Sequence, residues 1–387
     1  MNLRDVSPDM NPLDRVQERR DRIEKELGVA LDYVAVRSEQ IGTADEKNCE
    51  QMFGAIPVPV GLAGPLPITF SSGEMGEVYL PLATTEGALV ASINRGCKAI
   101  REAGGVRVSS EHVGITRSIA FEVKDGEGVS REIRAFESVW KKIAEATSSH
   151  LKILSYEIDI KDKVLFLTIA ADTDEAMGMN MVTIAAQEVG EYLSKELNIR
   201  MLTVAGNVDS DKKPSMRTKM HGRGHRVHAE ATIPETIIRS VLKSDSDALL
   251  KTARAKLEIG SEIAGALGSN LHVANTIMSL YLATGQDVAH VVEGSLADTI
   301  IKKIPDGIRI SVELPAVLVG VRGGGINLPA QKQCLDLVLK SKTKLRPSAQ
   351  LAETIGAAAL AGEISLLAAQ STHTLAQAHR TLGRGKE

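Results

Sequence analysis

Apolar residues along this chain follow two rhythms, one of continuous or alternating runs and one of positions three and four apart, and together they predict a mixed α/β protein. Near the N-terminus, residues 11–27 are strongly charged, with a thin apolar stripe of Val16, Ile23 and Leu27. That stripe predicts a small helix docking on a larger body or on a partner. Residues 52–70 carry four prolines and three glycines, which predicts extended irregular chain. A short strand over 77–82 follows, then a long helix over 84–103, opened by Thr84 and closed by Gly104-Gly105.

The segment 115–204 has its own order. Strands are expected at 115–123, 151–160, 163–171 and 199–205, with helices at 134–148 and 175–196. This β-α-β-β-α-β order is the split βαβ pattern of a ferredoxin-like domain. Beyond it, a strand is expected at 227–233, helices at 233–242, 247–263 and 272–283, and a strand at 308–313. Long helical stretches over 347–382 close the chain, with Gly356 and Gly362 permitting close packing or a bend. The expected architecture is α+β. A large helix-rich α/β domain (46–114 with 205–387) carries the inserted ferredoxin-like domain (115–204) and a small N-terminal helical segment (1–45).

Composition narrows the function. A net charge of −3 gives no nucleic-acid footprint and no general attraction to membranes. No run of 18 apolar residues is present, and the charged start lacks the apolar core of a signal peptide. Cys49, Cys97 and Cys334 fit neither a disulfide framework nor a zinc spacing. A cytoplasmic protein with reduced thiols is expected. Aromatic content of 3% means that the core is built from Ala, Leu, Ile, Val and Met, which pack through close helices.

Candidate chemistry centres on Gly206–Pro214, a Gly/Pro-bounded loop holding Asp211, Lys212 and Lys213. Adjacent cations repel, so the loop is either a solvated turn or one with an anion to face. Thr84-Thr85-Glu86-Gly87 reads as a helix cap or as a site acid. Ser92, Asn94 and Arg95 follow, with Ser92 and Arg95 on one helix face. Asp287, the run Glu175–Asn180 at a strand-to-helix junction, and His379 complete the set, each with an ordinary packing or capping alternative. Gly222 and Gly224 separate His221, His225 and His228 from any familiar ligand spacing, so no metal is expected. Residues 320–325 lack the G-x-G-x-x-G order but would let backbone approach a pyrophosphate closely.

In their fixed order, IPVPVGLAGPL at 56–66, TTEG at 84–87, AMGMN at 176–180, DKKP at 211–214, GQD at 285–287 and the closing His379 resemble 3-hydroxy-3-methylglutaryl-coenzyme A reductase. The likeness runs from about Glu50 to the C-terminus. AMGMN is similar to the soluble catalytic part of class I enzymes, and with no membrane domain ahead of it the chain is more similar to archaeal members. The resemblance implies a two-step reduction of the thioester to mevalonate and CoA by NAD(P)H, through a mevaldyl-CoA hemithioacetal and mevaldehyde.

By the same resemblance, Lys212 would stabilise each nascent oxyanion and Glu86 would be the general acid. Asp287 would bridge the two, sharing a proton with Glu86, and His379 would protonate the departing CoA thiolate. Arg117, Asn207, Asp211, Lys213 and Asn275 would hold the hydroxymethylglutaryl end. Ser92, Asn94, Arg95 and His272 would contact CoA. Glu175, Met177, Gly178, Met179 and Asn180, with Gly323, Gly324, Gly325 and Arg384, would hold the dinucleotide. Lys141, beside Trp140 and Lys142, favours NADPH over NADH. Ala205, Glu175 and Gly385 depart from the family's residues; the first removes a substrate hydrogen bond and the last a phosphorylatable serine. The resemblance further implies a homo-oligomer with the active site between subunits. A CoA-thioester hydrolase or lyase, or a non-catalytic CoA-binding subunit, remains as the alternative.

Overall fold

The computed structural model describes residues 7, 9–27, 31–32, 35 and 38–372. One long strand organises the molecule. β1 (Val60–Thr69) and β2 (Met75–Ala83) form a hairpin, and β3 (Val106–Glu122) follows. β4 (Lys152–Lys161), β5 (Val164–Asp172) and β6 (Arg200–Thr203) come next, then β7 (Gly224–Pro234), β8 (Asp298–Ile304) and β9 (Gly307–Val317). The first half of β3 pairs with β7 and its second half with β5. The strand therefore belongs to two arrays, β2-β1-β3-β7-β9-β8 and β4-β5-β3-β6. Among the paired strands of the described residues, only the short β1–β3 contact is parallel.

The principal helices are α1 (Pro12–Leu27), α2 (Leu89–Glu102), α3 (Gly126–Ala135), α4 (Glu137–Ala146) and α5 (Met179–Glu196). They continue with α6 (Val273–Thr284), α7 (Pro329–Val338) and α8 (Pro347–Ser371). α8 is apolar on every face and is the axis of the larger core. It is long and apolar enough to cross a membrane, but 94% of its most apolar 18-residue stretch is buried inside the protein. Its two buried acids are satisfied: Glu353 accepts from Ser71 and Ser110, and Glu363 from Leu271 N, His272 N and Thr299 Oγ1. Small residues let α2 lie directly against α8, and a Cβ on Gly96 would stand 1.8 Å from the Ala361 carbonyl oxygen. A second core, with Trp140, Phe121, Leu167 and Val182, fills the segment that β4–β6 and α3–α5 enclose.

Several boundaries differ from the sequence expectation for identifiable reasons. The proline-rich stretch contains a regular strand, β1. Pro65 sits at a register shift, and over 60–67 the strand pairs only with β2, so the missing donors cost little. The helix expected from Thr84 begins at Leu89, because Ala88 adopts φ 72°. TTEG is therefore a loop, with Thr84 Oγ1 accepting the Glu86 N–H. The helix expected from Glu175 begins at Met179, after Gly178 at φ 91°. The expected 134–148 helix is the pair α3 and α4, which meet at Phe136. β8 and α7 had no counterpart in the sequence reading; β8 is an edge strand ending in paired lysines, the usual protection of an exposed edge.

Candidate active site

The DKK loop is built, not merely solvated. Asn207, Ser210 and Lys212 all have φ near 60° (64°, 54° and 56°), conformations that non-glycine residues hold only when their surroundings fix them. What fixes Lys212 is its N–H, which donates to Glu293 Oε1 at 2.6 Å. Its Nζ reaches Asp287 Oδ2 at 2.7 Å. Asp287 in turn accepts the Ala289 N–H through Oδ1. Burial pushes the Asp287 carboxyl up. The Lys212 hydrogen bond, the Ala289 N–H and the charges of His290 and Lys212 outweigh that and hold it below the ordinary carboxylate range. Within one chain, Asp287 is thus held as the charged partner of Lys212.

Beneath this pair lies a buried charge network. Arg223, 1% exposed, donates to Asp211 Oδ1 at 2.9 Å, Glu293 Oε1 at 2.8 Å and Thr116 Oγ1 at 3.0 Å. Arg117 binds Asp209 at 3.0 Å and stands 3.6 Å from Asp211. Burial raises Asp211, but the adjacent Arg223 guanidinium, with His290 and Arg117, brings its carboxyl below the usual range. Asp211, His290 and Glu293 also offer ligand atoms within 4.8 Å of one another. The Arg223 guanidinium already occupies the position between Asp211 and Glu293 that a cation would take. Replacing Arg223 by Met leaves Glu293 buried without its cation and Asp211 with only the looser 3.6 Å contact to Arg117. A loss of about 3–5 kcal/mol in urea unfolding is expected. Asp211 has its folded pKa lowered, so its contribution is present above its unfolded pKa and is lost as pH falls through the folded one. The gap between Arg223→Met and wild type therefore narrows in acid.

A cavity of about 660 Å³ opens above the network. Lys212, Asp287, Asp211 and Arg117 line one side, and Met177, Gly178, Met179 and Asn180 at the start of α5 line another. Gly323–Gly325 and Arg322 form a third wall. The first-turn N–H groups of α5 have no intrahelical acceptor, which suits an anion. A Cβ on Gly323 or Gly324 would meet no protein atom within 4 Å, so side chains there would fill the cavity instead. The GQD loop is tied to this wall: Gln286 Oε1 accepts the Gly320 N–H, and the Gly285 and Gly325 backbones cross closely. These observations fit an elongated phosphate-bearing ligand such as a dinucleotide.

The other expected residues gather elsewhere. Glu86 Oε2 accepts from Asn275 Nδ2 at 2.7 Å, at the first turn of α6. His272 caps that turn, its N–H on Glu363 and its Nε2 buried without a hydrogen-bond partner. Ser92 and Arg95 on α2 both reach Ser365 of α8, and Asn94 accepts the Gly64 N–H. Asp287 lies past the opposite end of α6, and Asn275 to Thr284 alone spans about 14 Å of helix. Within one chain, therefore, the expected Asp287 bridge to Glu86 is not made.

Four further expected ligand residues do not line the cavity either. Lys141 is paired with Glu137 at 2.6 Å and packs over Tyr156, while Trp140 is a core residue. Glu175 accepts the Ser348 N–H at the start of α8, and its carbonyl holds Val321 N. Asn207 shapes the loop through its carbonyl, which accepts from Ser210 N. Lys213 Nζ folds back to the Asp211 carbonyl at 3.0 Å. His379 and Arg384, with Gly385, lie outside the described residues. His221 meets Glu157, His228 meets Glu313, and His225 stacks on His112, with burial first and the His112 charge second lowering it to about 3.

Sequence reasoning missed Asp209, Arg223, His290 and Glu293, the residues that set the lysine loop. A signal existed for three of them: Arg223 stands alone between Gly222 and Gly224, and His290 and Glu293 interrupt the apolar run VAHVVEG.

The chain is similar to known proteins over nearly its whole length. The family model described as hydroxymethylglutaryl-coenzyme A reductase matches residues 15–384. The 3-hydroxy-3-methylglutaryl-coenzyme A reductase of Methanocaldococcus jannaschii is 41% identical over 377 residues, covering 95% of this chain and 92% of its own. That of Methanothermobacter thermautotrophicus is 38% identical, covering 97% and 95%. Among solved structures, the class II 3-hydroxy-3-methylglutaryl-CoA reductase from Streptococcus pneumoniae, bound to NADPH in open conformations, aligns with a TM-score of 0.70. It covers 93% of this chain and 99% of its own at 19% identity, a likeness of fold. With the family model spanning nearly the whole chain and archaeal relatives this similar throughout, the chain belongs to the hydroxymethylglutaryl-coenzyme A reductase family.

Proposed function

We propose that this protein reduces (S)-3-hydroxy-3-methylglutaryl-CoA to mevalonate and CoA, consuming two NADPH. The observation that carries the reading is the Lys212 ammonium, held at 2.7 Å from Asp287 on a loop fixed from below, at the edge of the glycine-walled cavity. When bound, the dihydronicotinamide supplies one hydride to each half-reaction. Each hydride builds negative charge on a substrate oxygen, and Lys212 is the preorganised cation for it. Asp287 keeps the ammonium charged and aimed. Glu86 supplies a proton to the aldehyde oxygen in the second step, with Asn275 orienting its carboxyl. His379 is the acid assigned to the departing thiolate.

The start of α5 and Gly323–Gly325 would hold the dinucleotide, and Arg322 on the same wall suits its phosphates. The preference for NADPH rests on the ligand of the Streptococcus enzyme, since Lys141 is engaged by Glu137. Ser92, Arg95 and His272 would contact CoA, while Arg117 and Asp211 would meet the acyl end. Segment 115–204 is read as the inserted ferredoxin-like dinucleotide domain, supported by the antiparallel order β6-β3-β5-β4 and by its separate core. The remaining described chain forms the larger domain, and α1 with its satellite cluster forms the N-terminal segment. Three free cysteines support a reducing, cytoplasmic setting. The distance between Glu86 and Lys212 along α6 supports a homo-oligomer whose sites combine the two from different subunits.

The test follows nicotinamide absorbance and free thiol together. Two NADPH oxidised per CoA released is the expected stoichiometry, with NADH the poorer donor. Thiol release without nicotinamide oxidation would establish the hydrolase alternative. CoA binding with no turnover would leave the non-catalytic subunit.

A further inference from the structure

We propose that Glu175 is a positioning residue for the dinucleotide: it ties two walls of the cavity, the start of α5 and the glycine run, to the start of α8. The inference rests on the reductase reading above for the identity of the ligand. The start of α8 needs an acceptor. Pro347 at its first position has no N–H, so Ser348 carries the first N–H of the helix, and Ser348 is buried. Arg346 at the N-cap offers no side-chain acceptor. Glu175 Oε2 accepts this N–H at 2.8 Å, and the glutamate is itself buried. A carboxylate there satisfies an orphan donor and faces the positive end of the helix dipole.

The same residue fixes the chain on either side of it. Its carbonyl accepts the Val321 N–H at 2.7 Å, and the next residue, Ala176, forms a parallel bridge with Arg322. Arg322 leads directly into Gly323–Gly325, and Ala176 into Met177–Asn180. The two segments are packed without slack, since a Cβ on Gly320 would stand 2.3 Å from Met177 N. Thr173 Oγ1 donates to the Ala176 carbonyl at 2.8 Å and closes the turn from within. Glu175 is therefore a junction of three elements: its side chain holds α8, its carbonyl the glycine wall, and its backbone the lead into α5. Asp172 makes a second tie to Arg346, at 3.0 and 2.8 Å, but on an exposed guanidinium, where an ion pair is worth little.

The consequence is functional. Backbone N–H groups on two separate walls can meet one ligand's phosphates only at a fixed spacing, and backbone donors have no rotamers with which to adjust. Their spacing is set by the connections behind them, which is preorganisation. Without the carboxylate the Ser348 N–H is left buried and unpaired, and both walls lose their common anchor. Glu175 acts without touching the ligand, because it does not line the cavity.

Two measurements test it. The first is NADPH binding by fluorescence titration, with steady-state kinetics, on wild type, Glu175→Ala and Glu175→Gln. Glu175→Ala raises the Kd for NADPH about tenfold, the worth of one hydrogen bond to a charged group. Its kcat at saturating NADPH and its KM for the thioester stay within about twofold of wild type, a split that a general loss of structure would not give. Glu175→Gln, whose amide oxygen accepts the same N–H at the same reach, recovers most of the affinity. An unchanged Kd in Glu175→Ala overturns the proposal, as does an equal rise in the thioester KM, or a Glu175→Gln no tighter than Glu175→Ala. Should Glu175→Ala fail to fold, Glu175→Met fills the same space without an acceptor and takes its place. The second measurement needs neither ligand nor turnover. Amide hydrogen exchange over residues 173–181 and 320–325 should quicken together in Glu175→Ala and return toward wild type in Glu175→Gln. Unchanged exchange in either segment overturns the proposal. Should the wild-type protein bind no NADPH, the reductase reading fails on its own, and the exchange result still decides whether Glu175 holds the two walls.

Discussion

Lys212→Ala lowers kcat by about 10²–10³-fold, with far smaller changes in KM for NADPH. The size follows from what the side chain does. In the resting site the ammonium is paired with Asp287 at 2.7 Å and costs no reorganisation when negative charge appears nearby. Its removal takes away the donor while leaving the loop standing, because the loop is anchored through the residue-212 N–H to Glu293 and not through the side chain. Alanine keeps that N–H, although φ 56° at this position adds a modest strain that a thermal melt would register. Lys212→Arg should rescue little. A planar guanidinium would pair with Asp287 through two donors and would not present a compact charge to a single oxygen. Steady-state NADPH oxidation on the three proteins measures this. A Lys212→Ala rate within threefold of wild type, with an intact melt, would remove the cation from the mechanism.

The comparison of sequence with structure divides along physical lines. The loops that carry chemistry were legible because glycine, proline and adjacent charges are rare enough to mark a position. TTEG, AMGMN, DKKP and GQD are all recovered as loops or helix starts around two clusters. Helix starts were less legible. Nothing in the residue types at Ala88 announces a left-handed conformation, so the acid of TTEG was read onto a helix that begins three residues later. Lys141 shows a different limit. Glu137 stands four residues before it on the same helix, and that pairing, visible in the sequence, explains its position better than a distant phosphate does. Least legible was the support under the lysine. His290 and Glu293 sit three residues apart on one turn after α6, and only the tertiary fold brings Arg223 within hydrogen-bonding distance of Glu293.

Mixing Glu86→Gln chains with Lys212→Ala chains, each nearly inactive alone, should restore about one quarter of the wild-type rate. The argument starts from α6. Asn275, which holds Glu86, sits on its first turn, and Gly285-Gln286-Asp287 follows its last. A rigid helix cannot bring its two ends to one substrate carbonyl. If Glu86 and Lys212 act on the same molecule, the acid of one subunit must meet the lysine of another, through a twofold contact that makes two such sites. A mixed dimer then holds one site with both defects and one with neither. Random exchange makes half of all dimers mixed, and half of their sites intact, hence the quarter. Exchange by dilution and reconcentration, followed by the NADPH assay, gives the number. If both groups instead served one site within a chain, every site in every mixture would carry one defect and mixing would restore nothing. Activity that stays at the sum of the two single variants, after mass spectrometry has verified mixed dimers, would therefore assign both groups to one chain and require α6 or its flanking loops to rearrange on binding.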